Sequence, residues 1–500
     1  MLQQNKHMNK EVRKMEKHKV IGTVIGVLAF IALIAGITYA WYTWQSADNT
    51  NISFTVGGVD VTFDAGADIT SSKLRPVSTK EYGVENDYAI EKTITASSPV
   101  TAYLNLYLTL ETLPNGLKHE SFIWEIYKDN TLVSKGNFKK ANQGDKIRIA
   151  SSQKIESTTS TYKLYIWIDG ANYANPETMQ NQTFKFVLNA DATDVAPALA
   201  TLTKLGLTVN DGTPDFNQVA TTDEGVFAAE DDLGTSYYFR GPVENNYVKF
   251  AGYYWRIIRI NGGGTIRMIY DGTSAHSNGE SSADRQVGTT AFNTNYNDNA
   301  YVGYMYGTKG SSTYEDTHKN TNNSTIKTAN DNWYKTNIVD KNYSQYVADA
   351  IYCNDRSLSS GTGIGTTQTY YMAYNRLYTN KTPSLKCTQV NDKFTTSISL
   401  GNGDLTYPVG LITADEVAYA GGKYATTNKS YYLYSGNLYW TISPSLFASG
   451  DSYVWIVYST GRLTTDYVSS SRGLRPVISL KSDITFSGNG TMNSPFEIVP

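Results

Sequence analysis

Five histidines and one well-placed glutamate are the side chains from which acid–base or nucleophilic chemistry could be built. The histidines are His7, His18, His119, His276 and His318. A Ser-His-Asp triad would have to recruit a loop histidine, and no G-x-S-x-G turn marks a nucleophile. Glycosidases need two carboxylates at close range, which a sequence does not locate. We therefore predict no catalytic residue and a protein that is not an enzyme.

The glutamate is Glu416, which follows Thr413 by three residues within the segment 407–422. This T-x-x-E spacing lets each side chain bond the other residue's backbone N–H at the start of a helix. Gly421 then ends the predicted helix. A catalytic acid is the alternative role for Glu416, but the reciprocal cap explains the residue without a further assumption.

Metal and nucleotide sites are not expected from the sequence. The two cysteines, Cys353 and Cys387, form no C-x-x-C pair and have no histidine cluster nearby, so zinc is unsupported. No D-x-D-x-D-G run marks a calcium loop, and residues 297–299 are interpreted as a turn. The Gly-rich segment 261–264 joins two β-branched runs and predicts a hairpin, whereas a phosphate loop must lead into a helix. We predict no metal ion and no cofactor.

The amino-acid composition indicates that strands and turns make up most of the fold. The 500 residues include 39 Tyr and 40 Gly, which favour strands and the turns between them. The charged fraction of 18% and the net charge of -3 give no basic field. A nucleic-acid partner is therefore not expected. We predict a mainly β protein.

The first 44 residues predict entry into a membrane. Residues 1–19 are rich in lysine and arginine, and residues 20–40 carry no charge. A hydrocarbon layer is crossed by about 20 apolar residues, and a basic flank stays on the cytoplasmic side. We predict a basic cytoplasmic segment at 1–19 and a transmembrane or signal-anchor helix at 20–44. The rest of the chain is then extracellular.

Thr38, Tyr39 and Ala40 form a candidate cleavage site for a signal peptidase, with small side chains at Thr38 and Ala40. Cleavage between Ala40 and Trp41 would release a secreted protein. Retention of the helix would leave a single-pass protein of the cell membrane. The sequence narrowly favours the membrane-associated form, because the apolar segment can span unaided.

Export also bears on the two cysteines. An oxidising environment permits a disulfide between Cys353 and Cys387. Closing that loop would stabilise the fold by about 3 to 4 kcal/mol on the chain-entropy model. Two buried free thiols are the alternative.

Residues 49–193 predict an antiparallel β-sandwich, because apolar and polar residues alternate in short runs separated by turn signals. The predicted strands lie at 52–63 (as a hairpin), 101–110, 121–129, 162–168 and 183–189. Residues 194–224 are predicted to be a linker with one short helix around 199–207. The sequence thus divides into a sandwich, a linker and a second domain.

The second domain is predicted at 225–500. A hairpin is expected at 253–272, and a helix is expected after Ser324, which is available as an N-cap. A second short helix is predicted at 344–351. Trp333 is interpreted as a core residue rather than a ligand platform.

Two family resemblances extend these predictions. The run GITYAWYTWQSADNTNISFTVGGVDVTF resembles the export segment of camelysin and the biofilm-matrix fibre proteins of bacilli. That resemblance implies cleavage after Ala40 by a dedicated signal peptidase. It also implies self-assembly into fibres through the first strand.

The second resemblance covers the C-terminal domain. This domain resembles a group that contains the fibrobacter major paralogous domains and the formylglycine-generating-enzyme-like domains. The residues that carry the resemblance are Leu411, Thr413, Glu416, Trp440, Ser443, Arg475 and Pro476. The resemblance implies an α+β domain of C-type-lectin-like fold. The reactive cysteine pair of the formylglycine-generating enzymes is missing, because no cysteine follows Cys387. That activity is therefore not expected.

We predict an exported bacterial cell-surface protein that presents a non-enzymatic binding or adhesion domain for glycan or protein. A released, self-assembling fibre or matrix subunit is the alternative, and a secreted glycan-active enzyme ranks below both. Tyrosines that could form the contact surface are Tyr301, Tyr304, Tyr306, Tyr370, Tyr371, Tyr431, Tyr432 and Tyr434. Composition alone assigns no binding role to any one of them.

Overall fold

The computed structural model describes residues 44–45, 52–56, 59–64, 69–71, 73–171, 179 and 182–499. The basic segment 1–19, most of the predicted membrane helix 20–44 and the predicted cleavage site between Ala40 and Trp41 lie outside the described residues. Trp44 is an exception, because it begins a two-residue strand instead of ending a helix. Among the described residues, no helix is long and apolar enough to cross a membrane.

Two sheets occupy the N-terminal region, up to residue 193. Their strands are β1 (Trp44–Gln45), β2 (Ile52–Val56), β3 (Val59–Asp64), β4 (Ile69–Ser71), β5 (Pro76–Val77), β6 (Ile90–Ser97), β7 (Ala102–Thr112), β8 (Phe122–Lys128), β9 (Thr131–Asn137), β10 (Lys146–Ile155), β11 (Ser160–Asp169) and β12 (Phe184–Thr193). The first sheet has the order β1-β12-β7-β10, with β4 paired to β12. The second has the order β2-β3-β6-β11-β8-β9, with β5 paired to β11. A short helix, α1 (Lys80–Glu85), precedes β6.

One hydrophobic core joins these two sheets. Leu104, Leu106 and Leu108 alternate along β7 and are fully buried, as expected for side chains on one face of a strand. Ile126 and Ile166, from the second sheet, belong to the same cluster of buried residues. The sheets therefore share their apolar faces.

The strands predicted at 101–110, 121–129, 162–168 and 183–189 and the hairpin at 52–63 are confirmed, with ends shifted by a few residues. Strands β6, β9 and β10 and helix α1 were not predicted. β9 shows little apolar alternation because it is largely exposed at the end of its sheet. Its backbone pairing with β8 makes it a strand, and that pairing is not visible in local sequence.

The C-terminal region adds five helices, some short, and nineteen strands among the described residues. The helices are α2 (Pro197–Lys204), α3 (Tyr314–Thr317), α4 (Thr325–Tyr334), α5 (Met372–Tyr374) and α6 (Ala414–Tyr419). The strands are β13 (Gly225–Asp231), β14 (Gly234–Arg240), β15 (Tyr247–Phe250), β16 (Tyr253–Ile260), β17 (Ile266–Gly272), β18 (Thr289–Thr290), β19 (Met305–Tyr306), β20 (Asn322–Asn323), β21 (Tyr352–Cys353), β22 (Leu358–Ser360), β23 (Thr369–Tyr371), β24 (Lys393–Phe394), β25 (Tyr439–Ala448), β26 (Asp451–Val457), β27 (Leu463–Tyr467), β28 (Arg472–Gly473), β29 (Val477–Leu480), β30 (Phe486–Ser487) and β31 (Phe496–Ile498). The described chain is thus mainly β.

Two larger sheets organise this region. One has the order β13-β14-β16-β15-β31-β30, with β17 paired to β16 and β29 paired to β17. The other has the order β18-β28-β25-β23-β22, with β26 paired to β25 and β27 paired to β26. A second hydrophobic core, containing Trp255, Trp440 and Trp455, fills this region. The sheet that contains β25, β26 and β27 carries the candidate site.

The segment 194–224, predicted as a linker, packs against the C-terminal core through α2. Pro197 occupies the first turn of this helix, where its missing N–H costs nothing, so the helix begins two residues earlier than predicted. Ala198 and Leu202 are buried in the C-terminal core. The Thr201 hydroxyl donates a hydrogen bond of 2.8 Å to the carbonyl of Gly264. This part of the segment is fixed to the domain that follows it.

The prediction of a helix at 344–351 is wrong. Only a single 3-10 turn, Ser344–Tyr346, is present. Val347 is extended and forms a β-bridge with Leu480, and the N–H of Ala348 bonds the carbonyl of Ser479. Pairing with the edge of β29 therefore replaces the helix.

Other local predictions in this region are confirmed. Strands β16 and β17 form the predicted hairpin. The Ser324 hydroxyl caps α4 by accepting a hydrogen bond from the N–H of Lys327. Trp333 packs with the rings of Trp255 and Tyr270 at the side of the core.

Candidate functional site

A row of apolar and aromatic side chains crosses four neighbouring strands of the second C-terminal sheet. Tyr370 on β23 lies opposite Leu446 on β25, Leu446 lies opposite Tyr453 on β26, and Tyr453 lies opposite Tyr467 on β27. Directly opposed residues of antiparallel strands share a face, so the four side chains form one row. All are at least partly exposed, and Tyr467 is 45% exposed.

The helix that follows β23 extends this row. α5 continues into a π-helical turn, Asn375–Asn380. Tyr374 and Tyr378 are four residues apart and lie on one side of it, with ring centres 4.9 Å apart. The rings of Tyr370 and Tyr374 are also separated by 4.9 Å. The helix thus adds two tyrosines to the edge of the row.

Trp455 forms the floor beneath these rings. It lies two residues after Tyr453 on β26, so both side chains point to the same face. Tyr374 and Tyr424 cover it at centroid distances of 6.4 and 5.7 Å, and it has no exposed surface. Tyr424 also packs against Tyr378 at 4.9 Å. We call this set the aromatic face, and it consists of Tyr370, Tyr374, Tyr378, Tyr424, Tyr453 and Tyr467 over Trp455.

The aromatic face is rich in hydroxyl groups. Burial, followed by the neighbouring tyrosines, raises the pKa of Tyr374 above its ordinary value. Burial, followed by a hydrogen bond between its hydroxyl and that of Tyr467, raises the pKa of Tyr453. These two phenols therefore keep their protons at neutral pH and can both donate and accept a hydrogen bond. The Tyr370 hydroxyl already accepts one from the Gln368 amide at 3.1 Å.

Most of the tyrosines singled out by composition lie elsewhere. Tyr304, Tyr371, Tyr431 and Tyr432 are fully buried, and Tyr301 and Tyr434 are nearly so. Tyr306 is partly exposed but pairs with Tyr301 outside the aromatic face. Tyr370 alone of the eight contributes to the aromatic face. The spacing of Tyr370, Tyr374 and Tyr378, four residues at a time, is the sequence signal that could have revealed it.

Glu416 has a structural role in addition to the predicted cap. The reciprocal capping box with Thr413 is confirmed. The carboxylate is also buried and accepts hydrogen bonds from Arg259 Nε at 2.9 Å and Arg267 Nη2 at 3.2 Å. Burial raises the pKa of Glu416, but the two arginines outweigh it and hold the pKa below its usual range. Its oxygens are occupied, which disfavours the alternative role of catalytic acid.

Arg475, Trp440 and Ser443, which also carried the C-terminal resemblance, are buried and have structural roles. Arg475 Nη2 donates to Asp271 at 2.8 Å, and its other nitrogens bond backbone carbonyls. Trp440 donates its indole N–H to the carbonyl of Thr290, and the Ser443 hydroxyl accepts from the N–H of Ala414. These side chains hold the sheet that carries the aromatic face.

His276 comes nearest to a catalytic arrangement. Its Nδ1 lies 2.7 Å from Glu280, and its Nε2 lies 3.5 Å from the Ser274 hydroxyl. That Nε2 is held more closely by Asp284, at 2.8 Å. A base must have a free lone pair facing the nucleophile, so this arrangement does not form a triad.

His318 and the cysteines occupy structural positions. Burial lowers the pKa of His318 to about 3, and its Nε2 lies 2.9 Å from the carbonyl of Gly363, so the ring is neutral. Cys353 and Cys387 are joined by a disulfide. Within the described part of the chain, no group of three or more His, Cys, Asp or Glu side chains could hold a metal ion.

Asp298, from the segment interpreted as a turn, caps a 3-10 helix. Its carboxylate accepts hydrogen bonds from the N–H groups of Ala300 and Gly310. Asp298 therefore acts as a cap for the local backbone.

A cleft of about 870 Å³ lies between the N-terminal and C-terminal regions. Many of its charged side chains neutralise one another. The pairs are Lys80–Glu125 at 3.2 Å, Lys139–Glu120 at 2.6 Å and Lys393–Asp232 at 2.9 Å. The cleft is therefore a weaker candidate for ligand recognition than the aromatic face.

No protein-family model matches the chain, and no curated protein matches it. Its own geometry therefore carries the functional argument.

Proposed function

We propose that the protein is an exported, non-enzymatic surface protein that binds glycan through the aromatic face. The N-terminal region would be a β-sandwich, and the C-terminal region would be a C-type-lectin-like domain that presents the aromatic face. The observation that carries the proposal is the in-register row of Tyr370, Leu446, Tyr453 and Tyr467, side chains that are at least partly exposed on four neighbouring strands. Export rests on the sequence of residues 1–44.

The chemistry of the aromatic face suits sugars. A pyranose ring offers a flat patch of C–H groups surrounded by hydroxyls. Tyrosine offers a rigid apolar ring with one hydroxyl and loses little conformational entropy on binding. Contiguous exposed aromatic patches on soluble domains commonly mark interaction sites. The six tyrosines combine an apolar surface with a hydrogen-bonding rim.

Tyr374 is the residue to test, because its ring contacts Tyr370, Tyr378 and Trp455. Tyr374→Ala is expected to weaken glycan affinity at least tenfold, which is about 1.4 kcal/mol. Glycan-array screening of the full chain, followed by calorimetric titration with the best ligand, measures the effect. Tyr378→Ala, at a 45% exposed position, should weaken binding without opening a core cavity.

Tyr82→Ala is the matched control for this experiment. Tyr82 is 50% exposed on α1 and lies outside the aromatic face, so its removal should leave affinity unchanged. If the parent protein bound no glycan on a broad array, the proposal would be contradicted. Unchanged glycan affinity in both Tyr374→Ala and Tyr378→Ala would also contradict it. Turnover of a polysaccharide would show that the protein is an enzyme.

A released fibre-forming subunit is the second candidate, and the position of β2 favours it. β2 ends the order of its sheet and has one strand neighbour among the described residues. Its sequence ISFTV carries no charge, whereas β9 at the other end contains Lys135 and Gly136, which discourage pairing. An uncharged edge strand can template pairing with a second copy.

Deletion of residues 51–63 tests this second candidate. It is expected to abolish high-mass assemblies of the full chain, as measured by light scattering and electron microscopy. The control variant Lys135→Ala alters the opposite edge and should preserve the assemblies. A strictly monomeric parent protein would refute the fibre hypothesis.

A further inference from the structure

Tyr453 and Tyr467 form the closest ring pair of the aromatic face. Their ring centres are 4.6 Å apart and their planes are tilted by 37°. They lie directly opposite each other on β26 and β27, so backbone pairing fixes their separation. Tyr467 is 45% exposed, so a reagent in solution can reach it.

This geometry places the two phenol rings in direct contact. The hydroxyl groups of Tyr453 and Tyr467 are hydrogen-bonded neighbours. The ring carbons beside those hydroxyls are therefore brought together, and these are the carbons that carry the unpaired electron of a tyrosyl radical.

We infer that Tyr453 and Tyr467 are a modification site at which an oxidant forms an intramolecular dityrosine cross-link. The oxidant class is a peroxidase supplied with hydrogen peroxide. This inference goes beyond the proposed glycan binding and does not depend on it, because it needs only the two rings and the oxidant.

The reaction balances as follows in atoms and electrons. Each phenol gives up one electron and its hydroxyl proton, and the two radicals join through a new bond between the carbons beside the hydroxyls. Each of those carbons then returns its hydrogen as a proton to the phenolic oxygen. Two electrons and two protons leave in total, and one hydrogen peroxide molecule accepts them to become two water molecules.

The link would join β27 to its neighbour covalently. Among the described strands, β27 pairs with β26, and Leu463 at its start also forms a bridge with Tyr424. Tyr374 and Tyr378 are also adjacent, but one helical segment carries both of them, so a link there would join no separate strands. Of these two pairs, only Tyr453 and Tyr467 would link two separate strands.

The test uses the full chain at low concentration with a haem peroxidase and hydrogen peroxide. Trypsin cuts after Arg462, between the two tyrosines, and separates residues 430–462 from 463–472. In the oxidised monomer, these two peptides are expected to remain joined, with a mass two hydrogen atoms below their sum. Dityrosine fluorescence should appear in parallel.

Tyr467→Phe and Tyr453→Phe remove one phenol each while keeping the ring, and each should abolish the joined peptide. Tyr82→Phe, at an equally exposed position, should leave its yield unchanged. Joined peptides that persist in Tyr467→Phe would overturn the inference. Oxidation of the parent protein without this link, or with links only between chains, would also overturn it.

Discussion

Replacing Glu416 with alanine is expected to lower the free energy of unfolding by about 3–5 kcal/mol, as is typical when one partner of a buried ion pair is removed. Glu416 is 2% exposed and faces two buried arginines. Arg259 would keep Asp231 at 2.6 Å. Arg267 would keep only backbone carbonyls, so its charge would remain buried without a carboxylate. Loss of the capping box with Thr413 adds to the effect.

Chemical denaturation of the full chain measures this loss. Glu497→Ala is the matched control, because Glu497 forms an exposed pair with Lys249 at 3.3 Å. Exposed pairs contribute about 0–1 kcal/mol, so the control should unfold almost as the parent does. Glu416→Gln keeps the shape and removes the charge, and it should be destabilised for the same reason. Equal stability of Glu416→Ala and Glu497→Ala would contradict the assigned role.

The pKa of Glu416 adds a pH dependence to this prediction. Arg267 and Arg259 overcome the effect of burial and depress the pKa in the folded state. A depressed pKa stabilises the fold above the unfolded-state pKa of about 4.3, and this stabilisation is lost as the pH falls through the folded-state pKa. The stability difference between parent and Glu416→Gln should therefore be full at neutral pH and shrink in acid.

Removal of the disulfide is the second large effect expected. Cys353 and Cys387 are 34 residues apart in sequence, and closing such a loop restricts the unfolded chain by about 3–4 kcal/mol on the chain-entropy model. The double variant Cys353→Ser and Cys387→Ser should lose this amount in urea unfolding. Reductant should destabilise the parent by a similar amount.

Reductant added to the double variant serves as the control and should change nothing. Thiol titration of the denatured, unreduced parent should detect no free thiol. Two titratable thiols in that sample would show that the cysteines are not joined. That result would support the alternative hypothesis of two buried free thiols.

The sequence predicted the local structure where one short segment contained the whole signal. The capping box of Thr413 and Glu416 is complete within four residues and was identified correctly. The alternation of 162–168 likewise predicted β11. The 344–351 segment failed because its partner, Leu480, lies far along the chain and converts Val347 to an extended residue.

The candidate site was largely missed for the same reason. Tyr453 and Tyr467 meet because β26 and β27 are in a particular register, and register is a property of two strands together. Tyr424 reaches the face through a bridge to Leu463, nearly forty positions later. The second role of Glu416 was also hidden, since its arginines lie on β16 and β17.

The docking of α2 has a mechanical consequence for the proposed ligand-binding role. The covalent connection between the N-terminal region and the C-terminal region runs through residues 194–224. Ala198 and Leu202 are buried in the C-terminal core, and Thr201 is bonded to Gly264. Before this segment can lengthen, those contacts must be pulled apart. The segment therefore resists extension under a weak force and lengthens only when the force is large enough to break those contacts.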